Sequence, residues 1–270
     1  MVTSSRSLGD AEGVAPSLEV ATQLGRLGRQ ISGGWQLGVC VAAGEAGGSF
    51  RSARPPQRGP WVPPGQAADP ERSAAENNRR RRREMRRYCA ANGLNRLGTL
   101  TYAGDGVREW AEVVEHIALF FRELRRLVGQ RFAYAWVIQW HPGGHGLHVH
   151  FAVGRFIRRS MVEAAWPHGF VHIKLLGDLP VGSGVRDEAR KAGRYLASYI
   201  GSDLHGERPQ RRHAFDVAQG FKPVIERLEG RSFEEVRALA ADLMGAWPTF
   251  EWRSDDDPTW DRPSSCFLSW

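Results

Sequence analysis

The chain has little cysteine and no long run of apolar residues. Its three cysteines, Cys40, Cys89 and Cys266, are too few and too far apart for a disulfide framework or a thiolate metal site. No apolar stretch reaches the roughly 18 residues of a membrane helix, and the N-terminus has no segment of signal-peptide character. These absences argue against secreted disulfide-rich proteins and membrane proteins. We therefore expect a cytoplasmic protein with no membrane partner.

Lysine is also scarce, although basic charge is abundant. Only Lys174, Lys191 and Lys222 are lysines among 37 basic residues, and the formal net charge is +7. Residues 231–270 contain eight acids and four arginines, which leaves a net charge of about +11 on the preceding 230 residues. A strongly basic, arginine-rich surface favours a polyanionic partner, and nucleic acid is the expected one.

The first 95 residues show two kinds of composition. Residues 1–75 are rich in Gly, Ala, Ser, Pro and Arg without a helical or strand period, and we predict that they are mostly disordered. Residues 76–95 form a basic arm with five consecutive arginines: Arg79, Arg80, Arg81, Arg82 and Arg83. This run predicts either a solvated helix or localisation-like patch, or an arm that grips DNA phosphates.

Regular patterning begins at Arg96. The pattern predicts a strand at "RLGTLTY", a helix over 108–128, two strands joined by a Gly- and Pro-rich turn, a short helix over 160–166, a strand at "FVHIKLL" and a helix over 186–200. A capping box at Ser232 and Glu235 predicts a last helix running to about residue 247, followed by an irregular tail. We expect an α+β fold with helices packed on a largely antiparallel sheet, a globular domain over 96–204 and a C-terminal helix and tail over 205–270.

Two histidines flank one valine in the segment "LHVHFAV". Side chains two residues apart on a strand lie on one face, so His148 and His150 would stand side by side. Alone, this pair is explained equally well by two half-exposed strand histidines. Two neutral imidazoles so placed are also a typical start of a metal site.

Two tyrosines lie four residues apart in "KAGRYLASYIGSD". On a helix, Tyr195 and Tyr199 would project from one side, next to an apolar stripe formed by Ala192, Leu196 and Ile200. By itself, such a pair is explained by amphipathic packing with hydrated hydroxyl groups.

The order of these parts resembles the HUH endonucleases, specifically the rolling-circle replication initiators of plasmids and small phages. "LGTLTY" is similar to that family's first motif, His148-Val149-His150 to its second, and the segment from Tyr195 to Ser202 to its helical tyrosine motif. The likeness covers about residues 96–204. It implies the HUH, ferredoxin-like endonuclease core.

The resemblance implies an enzyme that nicks and rejoins one DNA strand at an origin. A tyrosine would attack a phosphodiester, form a 5′-phosphotyrosyl bond and release a 3′-OH for a polymerase. A divalent ion, Mn²⁺ or Mg²⁺, held by His148 and His150 would stabilise the charge that develops. Motif alignment favours Tyr199 as the nucleophile, with Tyr195 as its partner. A host helicase and polymerase would be further partners, because the sequence has no phosphate-binding P-loop of its own.

The sequence departs from this family at two places. The position of the family's acidic metal ligand is occupied by Gln139, and His141 or His145 would be substitutes; a site of imidazoles favours Mn²⁺ over Mg²⁺. The lysines of the tyrosine motif correspond to Ser198 and Ser202. Lys191 and Arg194 would then supply positive charge to the DNA.

Three other functions stay open at this stage. A relaxase would share the chemistry but usually has a third clustered histidine, which this strand lacks. A DNA-binding module with a decayed nuclease site would explain the serines at 198 and 202. An unrelated metal-dependent hydrolase would use His148 and His150 without a covalent tyrosine link.

Overall fold

The computed structural model describes residues 33–53, 61–63, 65–175, 184–201 and 214–270. Within these residues, the helices are α1 Pro70–Ala91, α2 Trp110–Val128, α3 Arg159–Ala165, α4 Val185–Ser198 and α5 Phe233–Met244. The strands are β1 Gly34–Cys40, β2 Glu45–Arg51, β3 Arg96–Tyr102, β4 Tyr134–Trp140, β5 Leu147–Val153, β6 Gly169–Leu175, β7 Phe215–Val217, β8 Glu226–Gly230, β9 Phe250–Arg253 and β10 Ser265–Ser269. The strands form two five-stranded antiparallel sheets, which confirms the predicted α+β class.

The chain divides into two compact units, Met1–Gly38 with Ala46–Gln57 and Arg227–Trp270 as the first, and Val39–Glu45 with Arg58–Glu226 as the second. Most of the sheet with order β8-β1-β2-β10-β9 lies in the first unit, together with α5. The capping box opens α5 as predicted, because Ser232 Oγ accepts a hydrogen bond from the Glu235 amide at 3.1 Å. Gly245, in a left-handed conformation, ends this helix before Pro248 can.

The second unit is built on the sheet with order β6-β3-β5-β4-β7. The odd-numbered side chains of β5, from Leu147 to Val153, face a core formed with α2 and α3. On the opposite face, α1 and α4 pack over Ala152 of β5 and over Ala135 and Val137 of β4. The sheet is thus covered by helices on both faces, and β5 is its central strand.

Two expectations for the N-terminal part of the chain are wrong. Residues 34–51 form β1 and β2 instead of lacking regular structure; they pair with β8 and β10, which are so distant in sequence that no local period reveals the pairing. The basic arm is part of the 22-residue helix α1, whose Met85, Tyr88 and Cys89 are buried. Residues 1–32, also expected to be disordered, lie outside the described residues.

The C-terminal tail also differs from the expectation. The last twenty residues contain the paired strands β9 and β10, in which Cys266 pairs with Arg253. Short strands with exposed aromatic residues do not show the alternation of a half-buried strand, and for that reason the sequence did not predict them. The described residues include no helix that is both long and apolar enough to cross a bilayer.

Candidate nucleotidyl-transfer site

The two histidines of β5 are buried side by side on one sheet face. Their side chains alternate with the apolar core residues, as the period of a strand requires, and only 5% of His148 and 7% of His150 is exposed. His148 Nε2 lies 2.9 Å from His150 Nε2. The predicted side-by-side arrangement is therefore present, but in a buried setting.

Two neighbouring strands add polar atoms to this pair. Gln139 of β4 is the cross-strand partner of His148, and its Oε1 lies 3.1 Å from His150 Nε2. On the other side, Thr99 of β3 is paired with His150, and its Oγ1 lies 3.0 Å from His150 Nδ1. His150 is therefore held through both ring nitrogens. The sequence analysis did not assign a role to Thr99, although its position on the same face of a neighbouring strand could have indicated one.

Burial determines the protonation of the pair. Desolvation lowers the pKa of His148 to about 4, with a smaller effect from His141, and lowers the pKa of His150 to about 3, with a smaller effect from His148. Both imidazoles are therefore neutral at pH 7, which is the form that binds a metal.

The donor atoms fit a divalent ion of intermediate softness. His148 Nε2, His150 Nε2 and Gln139 Oε1 converge, and His148 Nδ1 is buried without a hydrogen-bond partner. Among the residues that the structure describes, no three His, Cys, Asp or Glu side chains form a metal-binding group, so the set contains no carboxylate. Two imidazoles and one amide favour Mn²⁺ over Mg²⁺.

The two alternative ligands considered from the sequence are placed unequally. The His141 ring centroid lies 5.3 Å from that of His148, whereas His145 is exposed and its ring lies beside His141, at 5.4 Å. The Nδ1 atom of His141 already accepts a hydrogen bond from the Gly143 amide. His141 is therefore the nearer of the two to the pair.

Helix α4 brings both tyrosines to the histidines. The Tyr199 ring stacks on His150, with centroids 4.7 Å apart and an angle of 13° between the planes, and the Tyr195 ring meets His150 edge-on at 5.5 Å. The two tyrosine rings are 5.1 Å apart. All three sequence motifs thus meet at His150.

The tyrosines have different surroundings. Tyr195 is 40% exposed, whereas Tyr199 is half-buried at the C-terminal end of α4. Burial raises the pKa of Tyr199, and a hydrogen bond with Tyr195 raises it further. A hydrogen bond that raises the pKa stabilises the protonated form, so the Tyr199 hydroxyl donates and the Tyr195 oxygen accepts.

The predicted DNA-binding residues lie on two adjacent helices. Lys191 and Arg194 are on α4 before Tyr195, half-buried and exposed respectively, and Ser198 donates its hydroxyl back to the Tyr195 carbonyl at 2.7 Å. The arginine run lies on α1, which crosses α4. Arg82 Nε donates to the Ile200 carbonyl at 2.7 Å, and the Asn78 side chain packs on Gly201. Ser202 lies outside the described residues.

Comparison with known proteins gives one match. Residues 95–204, less than half of the chain, match the family model for the replication-associated protein ORF2. The comparisons with curated proteins and with solved structures found no match. The matched range contains β3, β5 and α4, which carry the three motifs. The part of the chain that holds the candidate site is thus similar to the replication-associated proteins of this family, and this similarity supports a role as a replication initiator.

Proposed function

We propose that the chain is a rolling-circle replication initiator that nicks and rejoins one DNA strand through a phosphotyrosine intermediate. The observation that carries the proposal is the meeting of both tyrosine rings with His150 on one buried sheet face. The match of residues 95–204 to a replication-associated family gives that geometry its biological setting.

In this mechanism, a tyrosine oxygen attacks the scissile phosphorus. The tyrosine O–P bond forms, the bond from phosphorus to the 3′ oxygen breaks, the tyrosine loses its proton and the 3′ oxygen gains one. The phosphotyrosine conserves the bond energy, so a later attack by a 3′-OH restores the DNA strand. A second tyrosine nearby allows another transfer while the first is occupied.

The arrangement of the tyrosines favours Tyr195 as the first nucleophile, whereas motif alignment favours Tyr199. Tyr195 is the more exposed to an incoming strand, and its oxygen already accepts the hydrogen bond from Tyr199, which stabilises a phenolate at that atom. Tyr199, stacked on His150, would orient the imidazole and serve as the second nucleophile.

His148, His150 and Gln139 would hold the divalent ion, and Mn²⁺ suits them best. When bound, the ion would supply positive charge to the phosphoryl oxygens. Thr99 would fix the orientation of the His150 ring. Lys191, Arg194 and the exposed arginines of α1 would bind the flanking phosphates.

The test is a covalent-adduct assay with Mn²⁺ and single-stranded DNA containing the origin of the chain's own replicon. A label at the 3′ end must stay with the protein after cleavage, whereas a label at the 5′ end must leave with the fragment that ends in a 3′-OH. The adduct should be lost in Tyr195→Phe and in His148→Ala, and reduced in Tyr199→Phe. Tyr134→Phe is the matched control, because Tyr134 stacks on Phe121 on the other side of the sheet.

Other outcomes identify the alternatives. Loss of the adduct in Tyr199→Phe with retention in Tyr195→Phe would exchange the two roles. Cleavage without an adduct would indicate the hydrolase. Binding without cleavage would indicate a DNA-binding module, which is favoured by the Ser198 hydroxyl turning back to the helix backbone where the family has a lysine.

A further inference from the structure

The sheet face that carries the histidines continues across β3 to the edge strand β6. His148 pairs with Thr101, which pairs on its other side with Phe170; His150 pairs with Thr99, which pairs with His172. Residues paired across strands project from the same face of a sheet. Phe170, His172 and, by alternation, Lys174 therefore share the face of the histidine pair.

These three residues are exposed in a way that packing does not explain. Phe170 is 70% exposed, and His172 and Lys174 are also exposed, whereas Val171 between them is buried in the core. The helices α1 and α4 cover β4 and β5 on this face, and β6 is at the end of the strand order. A large aromatic side chain therefore lies on the open part of the face, in line with the candidate site.

We propose that Phe170, His172 and Lys174 form a binding strip for single-stranded DNA, a statement that rests on the proposed function. An aromatic ring alternating with cationic side chains suits a polyanion whose bases are unpaired, because bases stack on the ring and phosphates pair with the cations. The residues that face this strip from β3, namely Leu97, Thr99 and Thr101, are neutral. Strands are about 4.8 Å apart, so Phe170 is about 10 Å from the row of His148. A base on Phe170 would thus belong to the strand that crosses the site.

The strip is tested by the affinity of the full chain for a fluorescein-labelled, mixed-sequence single-stranded 30-mer. Phe170→Ala and Phe170→Leu should each weaken binding about tenfold, whereas Phe170→Trp should retain the wild-type affinity, because only an aromatic ring stacks. Phe156→Ala is the matched control, since Phe156 is 71% exposed outside the sheet. Lys174→Gln should lower the slope of log affinity against log salt by about 0.7, with Lys222→Gln as its control.

The outcomes separate this inference from the proposed function. Equal affinity of Phe170→Ala and Phe156→Ala would overturn the strip even if the covalent adduct forms. Equal loss in Phe170→Leu and Phe170→Trp would show a structural role and would also overturn it. An aromatic-dependent loss of binding in a protein that forms no adduct would support the strip and contradict the nicking activity alone.

Discussion

At the scale of single residues, Thr99 connects the first motif to the second. Its hydroxyl lies 3.0 Å from His150 Nδ1, so the threonine on β3 determines which ring nitrogen of His150 is free to face Gln139 and His148. Partners of this kind orient metal-binding histidines and select their tautomer. The alternating threonines of "LGTLTY" thus have a physical purpose beyond strand propensity.

We predict that Thr99→Val weakens Mn²⁺ binding about 10- to 100-fold, because the isosteric side chain keeps the packing and removes the hydrogen bond. The measurement is titration calorimetry with MnCl₂. Thr101→Val, the same change two residues along the strand, is the control. A similar loss in both variants would show that the strand, and not the hydroxyl, is responsible.

The low pKa values of the histidine pair predict acid sensitivity of the metal-free protein. Both groups are neutral when folded down to about pH 4 and about pH 3, but in the unfolded chain they take up protons below about pH 6.5. The unfolded state then binds more protons, so their contribution to stability is complete above that pH and is lost as the pH falls towards 4. Thermal melts in EDTA should show this decline, and His150→Gln should reduce its slope.

An exposed histidine provides the control for that measurement. His145→Gln removes an imidazole from the surface beside the same hairpin and should leave the slope unchanged. A slope identical in wild type and His150→Gln would contradict the assignment of the decline to the buried pair.

At the scale of elements, the crossing of α1 and α4 places the tyrosines. A Cβ atom added at Gly193 would lie 2.9 Å from Arg86 Cα and 3.0 Å from Cys89 Cβ, so the helices meet where α4 has no side chain. The next turn along α4 contains Tyr195. The glycine that weakens the helix thus allows the approach that holds the tyrosine against the sheet.

Gly193→Ala should therefore lower the melting temperature by at least about 4 °C, although alanine is about 1 kcal/mol better than glycine within a helix. The overlap with the α1 backbone outweighs the gain in propensity. Arg194→Ala, at the exposed neighbouring position, should have a near-neutral effect on the melting temperature. A stabilised Gly193→Ala protein would show that the two helices are not in close contact.

The arginine run has two roles around the circumference of α1. Arg82 bonds the end of α4, and Arg81 lies over the Phe215 ring at 5.8 Å, whereas Arg79, Arg80 and Arg83 are on the outer side. Consecutive residues of a helix are 100° apart, so five arginines cannot all face one ligand.

We expect Arg79→Gln and Arg80→Gln each to weaken binding of single-stranded DNA and to lower the salt slope by about 0.7. Arg82→Gln should instead lower the melting temperature, because it leaves the Ile200 carbonyl without its donor. The controls are Arg122→Gln, an exposed arginine on α2, for affinity and wild type for stability. Equal effects of all three substitutions on affinity would contradict the division of roles.

At the scale of the whole molecule, the two compact units predict two separable stabilities. Ser232→Ala removes the N-cap of α5 and should destabilise the first unit by about 1 kcal/mol. Hydrogen exchange of amides in β9 and β10 should become faster, while the Mn²⁺ affinity of the second unit stays the same. A loss of Mn²⁺ affinity in this variant would show that the units fold as one.

The sequence predicted the second unit better than the first, for physical reasons. The strand period placed His148 and His150 together, and the helix period placed Tyr195 and Tyr199 on one side. No local pattern could show that α1 and α4 cover the histidine face or that Phe170 stays open, because both depend on long-range packing. β1 and β2 were missed because their partners are distant in sequence.

The histidines lie on the central strand of their sheet, with β3 on one side and β4 on the other. The amide protons around Val149 can exchange with solvent only when both neighbours open, whereas β6 and β7 can fray one at a time. The spacing of the two imidazoles therefore survives local fluctuations and sequence drift at the rim. Under the proposed function, the periphery can adapt to a new DNA sequence while the reacting centre stays the same.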